Sequence, residues 1–220
     1  MANILVIGAT NGIGYETVCR ALKNGHHVTA FARTAESLSI EALDFHPENL
    51  VKVSGDARDM SAITATLEGI DVVVHTLGLP LTPESILLPT KLFSDSTRTL
   101  LDAMKANGRT RLIAVTGIGA GDARDHLGPV YGLAFSLALK RIYDDKDIQE
   151  QMIRASTLDW TIVRPGILTD GNATQTYQVL TDPKTWKAGQ ISRKDVADFI
   201  VREFEAANYV KQTPVLIGTG

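Results

Sequence analysis

Cysteine, aromatic residues and long apolar runs are all scarce in this sequence of 220 residues. The single cysteine, Cys19, cannot form an internal disulfide bond, and its place in a predicted helix is typical of a buried, inert thiol. No apolar run is long enough to cross a bilayer, and the opening residues MANILVIGAT contain no basic segment of the kind that begins a signal peptide. We therefore expect a cytoplasmic protein with no membrane partner.

A surplus of basic residues is also missing. Lysine and arginine total 22 against 25 aspartates and glutamates, which gives a net charge of −3, and the basic residues form no run. Such a surface does not favour nucleic acid as a partner. The histidines show no metal-ligand spacing, and no G-x-S-x-G motif marks a nucleophile elbow. We expect no metal site, and small molecules remain as candidate ligands.

Short apolar runs alternate with helical stretches along the whole chain. The predicted strands are 3–7, 27–32, 50–54, 71–76, 111–116, 160–164 and 214–218. The predicted helices are 12–23, 59–67, 89–106, 131–156 and 192–207. Because several strands are apolar almost throughout, both faces of the sheet should be covered. The pattern predicts one doubly wound (Rossmann) α/β domain over residues 1–220, with a mostly parallel sheet and helices on both faces.

Three long gaps each follow a predicted strand directly, at residues 78–89, 117–130 and 166–190. Ligands bind at the carboxyl ends of the strands in open α/β sheets, so these gaps are expected to form the walls of the crevice. The third gap contains Tyr177 and Trp186, and we interpret it as a substrate lid, with a disordered insertion as the alternative.

Other candidate side chains lie in or just after the second gap. His126 is a candidate proton donor to a substrate, or else an ordinary solvated histidine. Tyr131 and Phe135 are four residues apart on a predicted helix, so their rings would form either a wall of the substrate pocket or part of the core. The sequence leaves these alternatives open.

The stretch GATNGIG, residues 8–14, lies between the first strand and the first helix. Its three glycines would let backbone N–H groups approach a phosphate, and the N-terminus of the helix favours the negative charge. A glycine-rich turn alone is a weak indication, but its position inside a strand–helix–strand unit favours a dinucleotide cofactor over a merely tight turn.

The identity of the cofactor depends on the end of the second strand. NAD sites usually place an acid there to bind the ribose 2′-hydroxyl, but no acid occurs between Gly25 and Thr34. Arg33 instead offers a guanidinium that suits the 2′-phosphate of NADP(H), unless it is only a solvated surface arginine. NADP(H) is therefore favoured over NAD(H). Asp56 would bind the adenine amino group or cap the helix that starts near Met60.

Six motifs resemble the atypical NAD(P)H-binding branch of the short-chain dehydrogenase/reductase superfamily, among proteins similar to biliverdin reductase B (the flavin reductase type) and NmrA-like proteins. The motifs are VIGATNGIG, FAR, GDARD, LIAVTGIG, LDWTIVRPGIL and ISRKDVADFI. They occur in the order of the family and cover nearly the whole chain. The branch has a glycine at the position of Asn11, and asparagine tolerates positive φ, so we expect the turn to survive this replacement.

The resemblance implies a set of residues around each part of the cofactor. They are Gly8, Thr10, Asn11, Gly12 and Ile13 for the pyrophosphate, Arg33 for the 2′-phosphate, Asp56 and Ala57 for the adenine, Thr76, Leu77 and Gly78 for the ribose, and Val115, Thr116, Gly117, Pro165, Gly166 and Ile167 for the nicotinamide. Thr116 is also a candidate catalytic residue, because it lies at the nicotinamide end.

The chain departs from the Tyr-x-x-x-Lys pair of the main superfamily, in which the lysine lowers the pKa of the tyrosine for proton transfer. No tyrosine here has a lysine four residues later. If Lys146 keeps the family position, the tyrosine position falls on Ile142, and Tyr143 points about 100° away. The dedicated acid is therefore expected to be absent. Lys146 is expected either to bind the nicotinamide ribose as a catalytic residue or to pair with Glu150 on the helix surface.

Three functions fit these features. An NADPH-dependent reductase would transfer hydride to a small conjugated acceptor such as a flavin, a quinone or a bilin, and the protein would supply orientation. An NmrA-like sensor would bind NADP without chemistry. An epimerase, isomerase or dehydratase would use the nicotinamide transiently, although sugar-nucleotide epimerases usually carry a further domain of ~100 residues or more. The reductase is favoured, as a monomer or homodimer.

Overall fold

The computed structural model describes residues 1–40, 46–80, 82–126 and 139–219 of the chain. Its strands are β1 Asn3–Ile7, β2 His27–Ala32, β3 Leu50–Ser54, β4 Val72–His75, β5 Arg111–Val115, β6 Asp159–Pro165, β7 Ile167–Thr169, β8 Tyr177–Leu180, β9 Gln190–Ser192 and β10 Val215–Gly218. Its helices are α1 Gly12–Lys23, α2 Met60–Ala65, α3 Pro83–Leu87, α4 Leu92–Ala106, α5 Lys140–Ala155 and α6 Arg193–Ala206.

Eight strands form one sheet in the order β3-β2-β1-β4-β5-β6-β10-β8, and β7 pairs with β9 in a separate small sheet. Neighbouring strands of the large sheet are parallel except for β8, which runs antiparallel to β10. The strand order reverses between β1 and β4, which opens a crevice at the carboxyl ends of the strands. The doubly wound α/β fold predicted from the sequence is confirmed.

Alternate side chains of β1 pack against different layers of helices. Ile4 and Val6 belong to the core cluster that contains residues of α1 and α6. Leu5 and Ile7 belong to the cluster that contains residues of α4 and α5. Because successive side chains point to opposite faces of a strand, an apolar run is buried on both sides here, as its composition predicted.

The segment 166–190 contains regular structure that was not predicted from the sequence. Within it, β7 pairs in parallel with β9, and β8 joins the edge of the large sheet beside β10. These strands were missed because they have only three or four residues, which is too short for a period of apolar residues to be recognised. The role of the segment as a substrate lid stays a prediction. The gap 78–89 likewise contains α3, which begins with a capping box between Thr82 and Ser85.

Two predicted substrate residues, Tyr131 and Phe135, lie outside the described residues. The same holds for the first part of the predicted helix 131–156, and the described part of that helix is α5. Residues 127–130 of the predicted gap 117–130 also lie outside the described residues, and the described part of the gap contains a short 3-10 helix at Gly121–His126.

Buried acidic side chains fix α6 against its neighbours. Glu203 is 2% exposed and accepts hydrogen bonds from Arg111 at 2.7 Å and from Thr161 at 2.9 Å. Asp198 pairs with Arg20 of α1 and with Arg202. A buried carboxylate needs such partners. These bonds therefore fix the position of α6 between the sheet and α1.

The buried His75 at the end of β4 should make the stability of the fold sensitive to acid. Its Nδ1 accepts a hydrogen bond from the amide of Gln149 at 2.9 Å, and burial lowers its pKa from 6.5 to about 3. Between these two values the native state binds fewer protons than the unfolded state, so the free energy of unfolding falls as the pH drops through this window. In His75→Asn, whose Oδ1 can replace Nδ1 as the acceptor, we expect most of this loss, several kcal/mol at full extent, to disappear.

Urea denaturation from about pH 7.5 to about pH 4 measures this dependence. His46→Asn is the matched control, because His46 is exposed and should leave the pH dependence unchanged. If the free energy of unfolding falls with pH in the same way for the wild type and for His75→Asn, the buried imidazole does not cause the sensitivity to acid.

Candidate cofactor and active site

The glycine loop folds tightly between β1 and α1. Gly8 has a φ of +90°, and a Cβ at this position would lie 3.0 Å from the backbone of Thr76. A Cβ on Gly14 would collide with the carbonyl oxygen of Gly8 and lie 2.6 Å from Oγ1 of Thr76. The Thr76 hydroxyl in turn donates to the carbonyl of Ile7 at 2.8 Å. The glycine crossing, where Gly8 and Gly14 pack against Thr76, has no room for further side chains. Such a close approach of backbone to backbone exposes N–H groups to a phosphate.

Asn11 is the N-cap residue of α1, and its backbone differs from the expectation. Its φ is −146°, which is extended backbone, whereas positive φ falls on Gly8 and Gly12. The expectation that Asn11 must tolerate positive φ is therefore wrong. Its side chain makes no capping hydrogen bond, and Tyr15 donates the first backbone bond of the helix, to the Asn11 carbonyl at 3.3 Å. The preceding N–H groups of α1 are left for a ligand.

Arg33 lies just beyond the end of β2, and its side chain is exposed. Among the described residues it forms no hydrogen bond and no ion pair. Its charge contributes to the low pKa of Asp56, about 2, of which hydrogen bonding from Arg58 is the main cause. Arg33 therefore presents an uncommitted guanidinium at the end of the strand where the sequence predicts the 2′-phosphate.

Asp56 forms an ion pair with Arg58 instead of capping α2. The Nε and Nη2 atoms of Arg58 donate to its two carboxylate oxygens at 3.0 and 2.6 Å. The N-cap of α2 is Asp59, which accepts from the N–H groups of Ser61 and Ala62. The capping alternative for Asp56 is excluded, and its contact with adenine stays a prediction, as does that of the neighbouring Ala57.

The residues predicted around the ribose and the nicotinamide follow three adjacent strands, β4, β5 and β6. Leu77 packs against the core, whereas Gly78 borders open space. The N–H of Ile118 donates to the Pro165 carbonyl at 3.0 Å, and the N–H of Gly166 donates to Leu216 at 2.9 Å. These bonds hold the ends of β5, β6 and β10 together, so the predicted residues share one edge of the sheet.

A buried ion pair lies next to Thr116. Glu150 of α5 accepts two hydrogen bonds from Arg164 of β6, at 3.0 and 2.5 Å, and the two residues are 2% and 0% exposed. Arg164 also lies 2.7 Å from Asp122, and the ring of Trp186 is 5.1 Å from its guanidinium carbon. The Thr116 hydroxyl donates to Glu150 at 2.7 Å. Thr116 was predicted to be catalytic, but its proton is already donated to a carboxylate within the protein.

Glu150 and Arg164 were not predicted from the sequence to lie together at this site. The signal was present, because Arg164 stands inside the apolar run WTIVR. A charged residue in a strand that is buried on both faces requires a partner of opposite charge.

Lys146 is buried in the site and not on the surface of α5. Its Nζ donates to the Val115 carbonyl at 3.3 Å and lies 4.1 Å from the centre of the Phe93 ring. Since Glu150 binds Arg164, the predicted surface salt bridge of Lys146 is excluded. Burial lowers the pKa of Lys146 to about 8, against the opposing effect of nearby carboxylates. The contact of Lys146 with the nicotinamide ribose stays a prediction.

Tyr143 faces the same strand end as Lys146. A Cβ on Gly117 would collide with the Tyr143 hydroxyl, so this hydroxyl lies against Gly117. The prediction that Tyr143 points away from the site was wrong, because residues three apart share a helix face as well as residues four apart. Burial raises the pKa of Tyr143 to about 12, so the phenol is protonated at neutral pH.

Tyr177, Trp186 and His126 have partners within the protein. Trp186 is buried, and its Nε1 donates to the Leu180 carbonyl at 3.0 Å, while the Tyr177 hydroxyl donates to Asp198 at 3.0 Å. The rings of His126 and Trp186 pack edge to face, 5.6 Å between centroids. These side chains fix β8 and the following turn to the core, and a contact of Tyr177 or Trp186 with substrate stays a prediction. A proton-donor role for His126 stays a prediction.

The site fits a nicotinamide dinucleotide. The glycine crossing and the open first turn of α1 suit a pyrophosphate, and Arg33 suits a further anion. A family described as NAD(P)H-binding matches residues 8–207 of the chain. The chain belongs to this NAD(P)H-binding family.

Several relatives of the family cover nearly the whole chain. A structure described as an anaerobillin reductase, ChuY of Escherichia coli O157:H7, is 27% identical and covers 99% of this chain and 97% of its own, with a TM-score of 0.77. YhfK of Bacillus subtilis, named an uncharacterized sugar epimerase, is 27% identical over 209 residues, which are 93% of this chain and 89% of that protein.

A short-chain dehydrogenase/reductase from Veillonella parvula, in complex with NADP, is 19% identical and covers 100% of this chain and 95% of its own, with a TM-score of 0.78. At that identity it shows the fold alone. Together with the family match, the reductase neighbour of 27% identity supports an NAD(P)H-binding oxidoreductase.

Other kinds of site were sought in the same part of the chain. Within the described ranges, no cluster of three or more histidine, cysteine, aspartate or glutamate side chains could hold a metal ion. No helix in those ranges is long and apolar enough to span a membrane. Cys19 is partly buried, and burial raises the pKa of its thiol, which disfavours the reactive thiolate.

The buried ammonium of Lys146 should cost stability at neutral pH. Its pKa is about 8 in the native state against 10.5 for a free lysine, so between these values the native state loses a proton that the unfolded state keeps, and stability rises with pH. We expect Lys146→Met to be more stable than the wild type near pH 7, by on the order of 1–3 kcal/mol, with the difference shrinking toward pH 10.5.

Urea denaturation at several pH values across that window measures the difference. Lys140→Met is the control, because Lys140 is 60% exposed at the start of the same helix and should give a difference independent of pH. If Lys146→Met also differs from the wild type by a constant amount at all pH values, the buried ammonium does not titrate as stated.

Proposed function

We propose that this oxidoreductase uses NADPH to reduce a small conjugated acceptor of the flavin, quinone or bilin type. The observation that carries the choice of cofactor is the exposed guanidinium of Arg33, which has no partner among the described residues. No carboxylate occurs between Gly25 and Thr34 to bind a ribose 2′-hydroxyl. The 2′-phosphate of NADPH would give Arg33 a charge-assisted, bidentate partner.

The class of acceptor follows from how the polar side chains of the site are used. The hydroxyl of Thr116 donates a hydrogen bond to Glu150, and the ammonium of Lys146 donates one to the Val115 carbonyl. Such a site orients its reactants better than it donates protons to them. Reduction of a conjugated ring by hydride from a bound nicotinamide depends mainly on orientation, so this chemistry suits the site.

Two further observations support a flat acceptor. Ile167, which follows the Pro165–Gly166 turn at the predicted nicotinamide end, is 40% exposed and offers an apolar surface for a ring. The Tyr143 hydroxyl beside Gly117 is protonated at neutral pH and is our candidate for the proton that accompanies the hydride. The relative described as an anaerobillin reductase supports the bilin class in particular.

An epimerase is the second candidate, because YhfK carries that name. In that reaction the nicotinamide would be reduced and reoxidised within one turnover, so no net NADPH would be consumed. A sensor of the NmrA type would bind NADP and consume nothing. Net consumption of NADPH therefore separates the proposed reductase from both alternatives.

We expect the purified protein to oxidise NADPH in the presence of FMN, a quinone or biliverdin, as measured by the fall in nicotinamide absorbance. The same reaction with NADH should be slower by at least about tenfold, because Arg33 then lacks its phosphate partner. Tight binding of NADP with no turnover of any acceptor would favour the sensor and count against the reductase.

We expect Arg33→Ala to weaken NADPH by about 10- to 100-fold and NADH by less than about threefold, because only NADPH has the 2′-phosphate. Calorimetric titration of both cofactors measures the two affinities without relying on turnover.

Arg98→Ala is the matched control, since Arg98 is also exposed but lies on α4 and pairs with Asp95. It should leave both affinities unchanged. Equal losses of NADPH and NADH in Arg33→Ala would contradict a contact with the 2′-phosphate.

A further inference from the structure

A second arginine lies at the glycine loop, on the side of α6. If Gly12 carried a Cβ, that atom would lie 3.8 Å from both Cδ and Nε of Arg193. Arg193 is the first residue of α6, in the motif ISRKDVADFI, to which the sequence analysis assigned no role. Its side chain therefore reaches across to the turn that precedes the open N-terminus of α1.

The backbone under Arg193 is firmly fixed. Ser192 caps α6 and accepts a hydrogen bond from the N–H of Asp195 at 2.9 Å. The carboxylate of Asp195, which is 2% exposed, accepts from the N–H groups of Thr174 and Gln175, both at 2.8 Å. These bonds join the turn after β7 to the first turn of α6, so Arg193 extends from a rigid base.

The head of Arg193 has a weaker partner. Its Nη1 lies 2.6 Å from a carboxylate oxygen of Asp170, a residue whose side chain is 90% exposed, and the Arg193 side chain is 30% exposed. Exposed ion pairs of this kind contribute little, about 0–1 kcal/mol, because water and salt screen them. The pyrophosphate of a dinucleotide, which carries two negative charges in all, would compete well for the same guanidinium.

We propose that Arg193 binds the pyrophosphate of the dinucleotide from the side opposite α1, and that Asp170 occupies its guanidinium when no cofactor is bound. This inference rests on the proposed cofactor binding and adds a contact to it. In the complex the pyrophosphate lies between two positive groups, the N–H groups of α1 and the Arg193 guanidinium. Arg193 then contributes to the affinity for both NADPH and NADH, whereas Arg33 selects between them.

Titration calorimetry with three ligands tests this division. NADPH has both the pyrophosphate and the 2′-phosphate, NADH has only the pyrophosphate, and adenosine 2′-monophosphate has only the 2′-phosphate. Arg193→Ala should weaken NADPH and NADH by the same factor, about 10- to 100-fold, and leave adenosine 2′-monophosphate unchanged. Arg33→Ala should weaken NADPH and adenosine 2′-monophosphate instead.

Asp170→Asn separates a binding role of Arg193 from a structural one. If Arg193 serves the cofactor, Asp170→Asn removes a competitor and should bind NADPH and NADH at least as tightly as the wild type. If the pair only holds the turn to α6, Asp170→Asn should lose as much affinity as Arg193→Ala, and that result would overturn the inference. Lys194→Ala is the matched control, because Lys194 is the exposed neighbour on the same helical turn and should change nothing.

Thermal unfolding of each unliganded variant shows whether it is folded, and Arg193→Gln replaces Arg193→Ala if the alanine variant is not. Unchanged affinities in a folded Arg193 variant, with a wild type that binds NADPH, would overturn this inference and leave the proposed function standing. A wild type that binds neither NADPH nor NADH would overturn the proposed function itself.

Discussion

The buried ion pair between Glu150 and Arg164 is the interaction on which the geometry of the site depends. It joins α5 to β6, takes the hydroxyl of Thr116 at the end of β5, and reaches Asp122 in the following loop. Removing one partner of such a pair leaves an uncompensated buried charge, which destabilises the fold by about 3–5 kcal/mol. The packing around it is correspondingly close, since a Cβ on Gly121 would lie 2.5 Å from Arg164 Nη2 and 2.8 Å from Glu150 Oε2. The end of β5 is thus held by charge as well as by the sheet.

The same arrangement explains the kind of chemistry that the site favours. Three groups that a main-line member of the superfamily would use on a substrate are differently disposed here. Thr116 and Lys146 are hydrogen-bonded within the protein, and Tyr143 approaches Gly117 from a position one residue later than the family tyrosine. Among the described residues, the surface of the site includes a backbone edge, the exposed Ile167, and Arg33 and Arg193 near the glycine loop and the end of β2. Such a surface suits the proposed reduction, which depends more on the orientation of the reactants than on acid–base catalysis.

The fold could be predicted from the sequence because the long, apolar strands and amphipathic helices carry a strong period, and the glycine loop follows β1 directly. Three features escaped prediction for physical reasons. The strands β7, β8 and β9 are too short to show a period, and they form through pairing with distant partners. The direction of Tyr143 depends on how α5 is rotated against β5, which a rule of four-residue spacing does not capture. The positive φ of the loop falls on Gly12 and not on Asn11, because the N-cap position is extended.

The position of β10 has a consequence for how the molecule comes to exist. Strand β8 forms one edge of the sheet, and its neighbour is β10, which comes later in the chain. Strand β10 therefore lies between β8 and β6. Because β8 precedes β10 in the chain, β8 has no partner in the large sheet until β10 is available. Gly166, which the sequence predicts at the nicotinamide, donates to Leu216 of β10, so this edge of the sheet is complete only when β10 is in place. A chain cut short before β10 would therefore leave β8 without its hydrogen-bonded neighbour in the large sheet and β6 without one of its two, and the two ends of the segment that joins them would no longer be held side by side in one sheet.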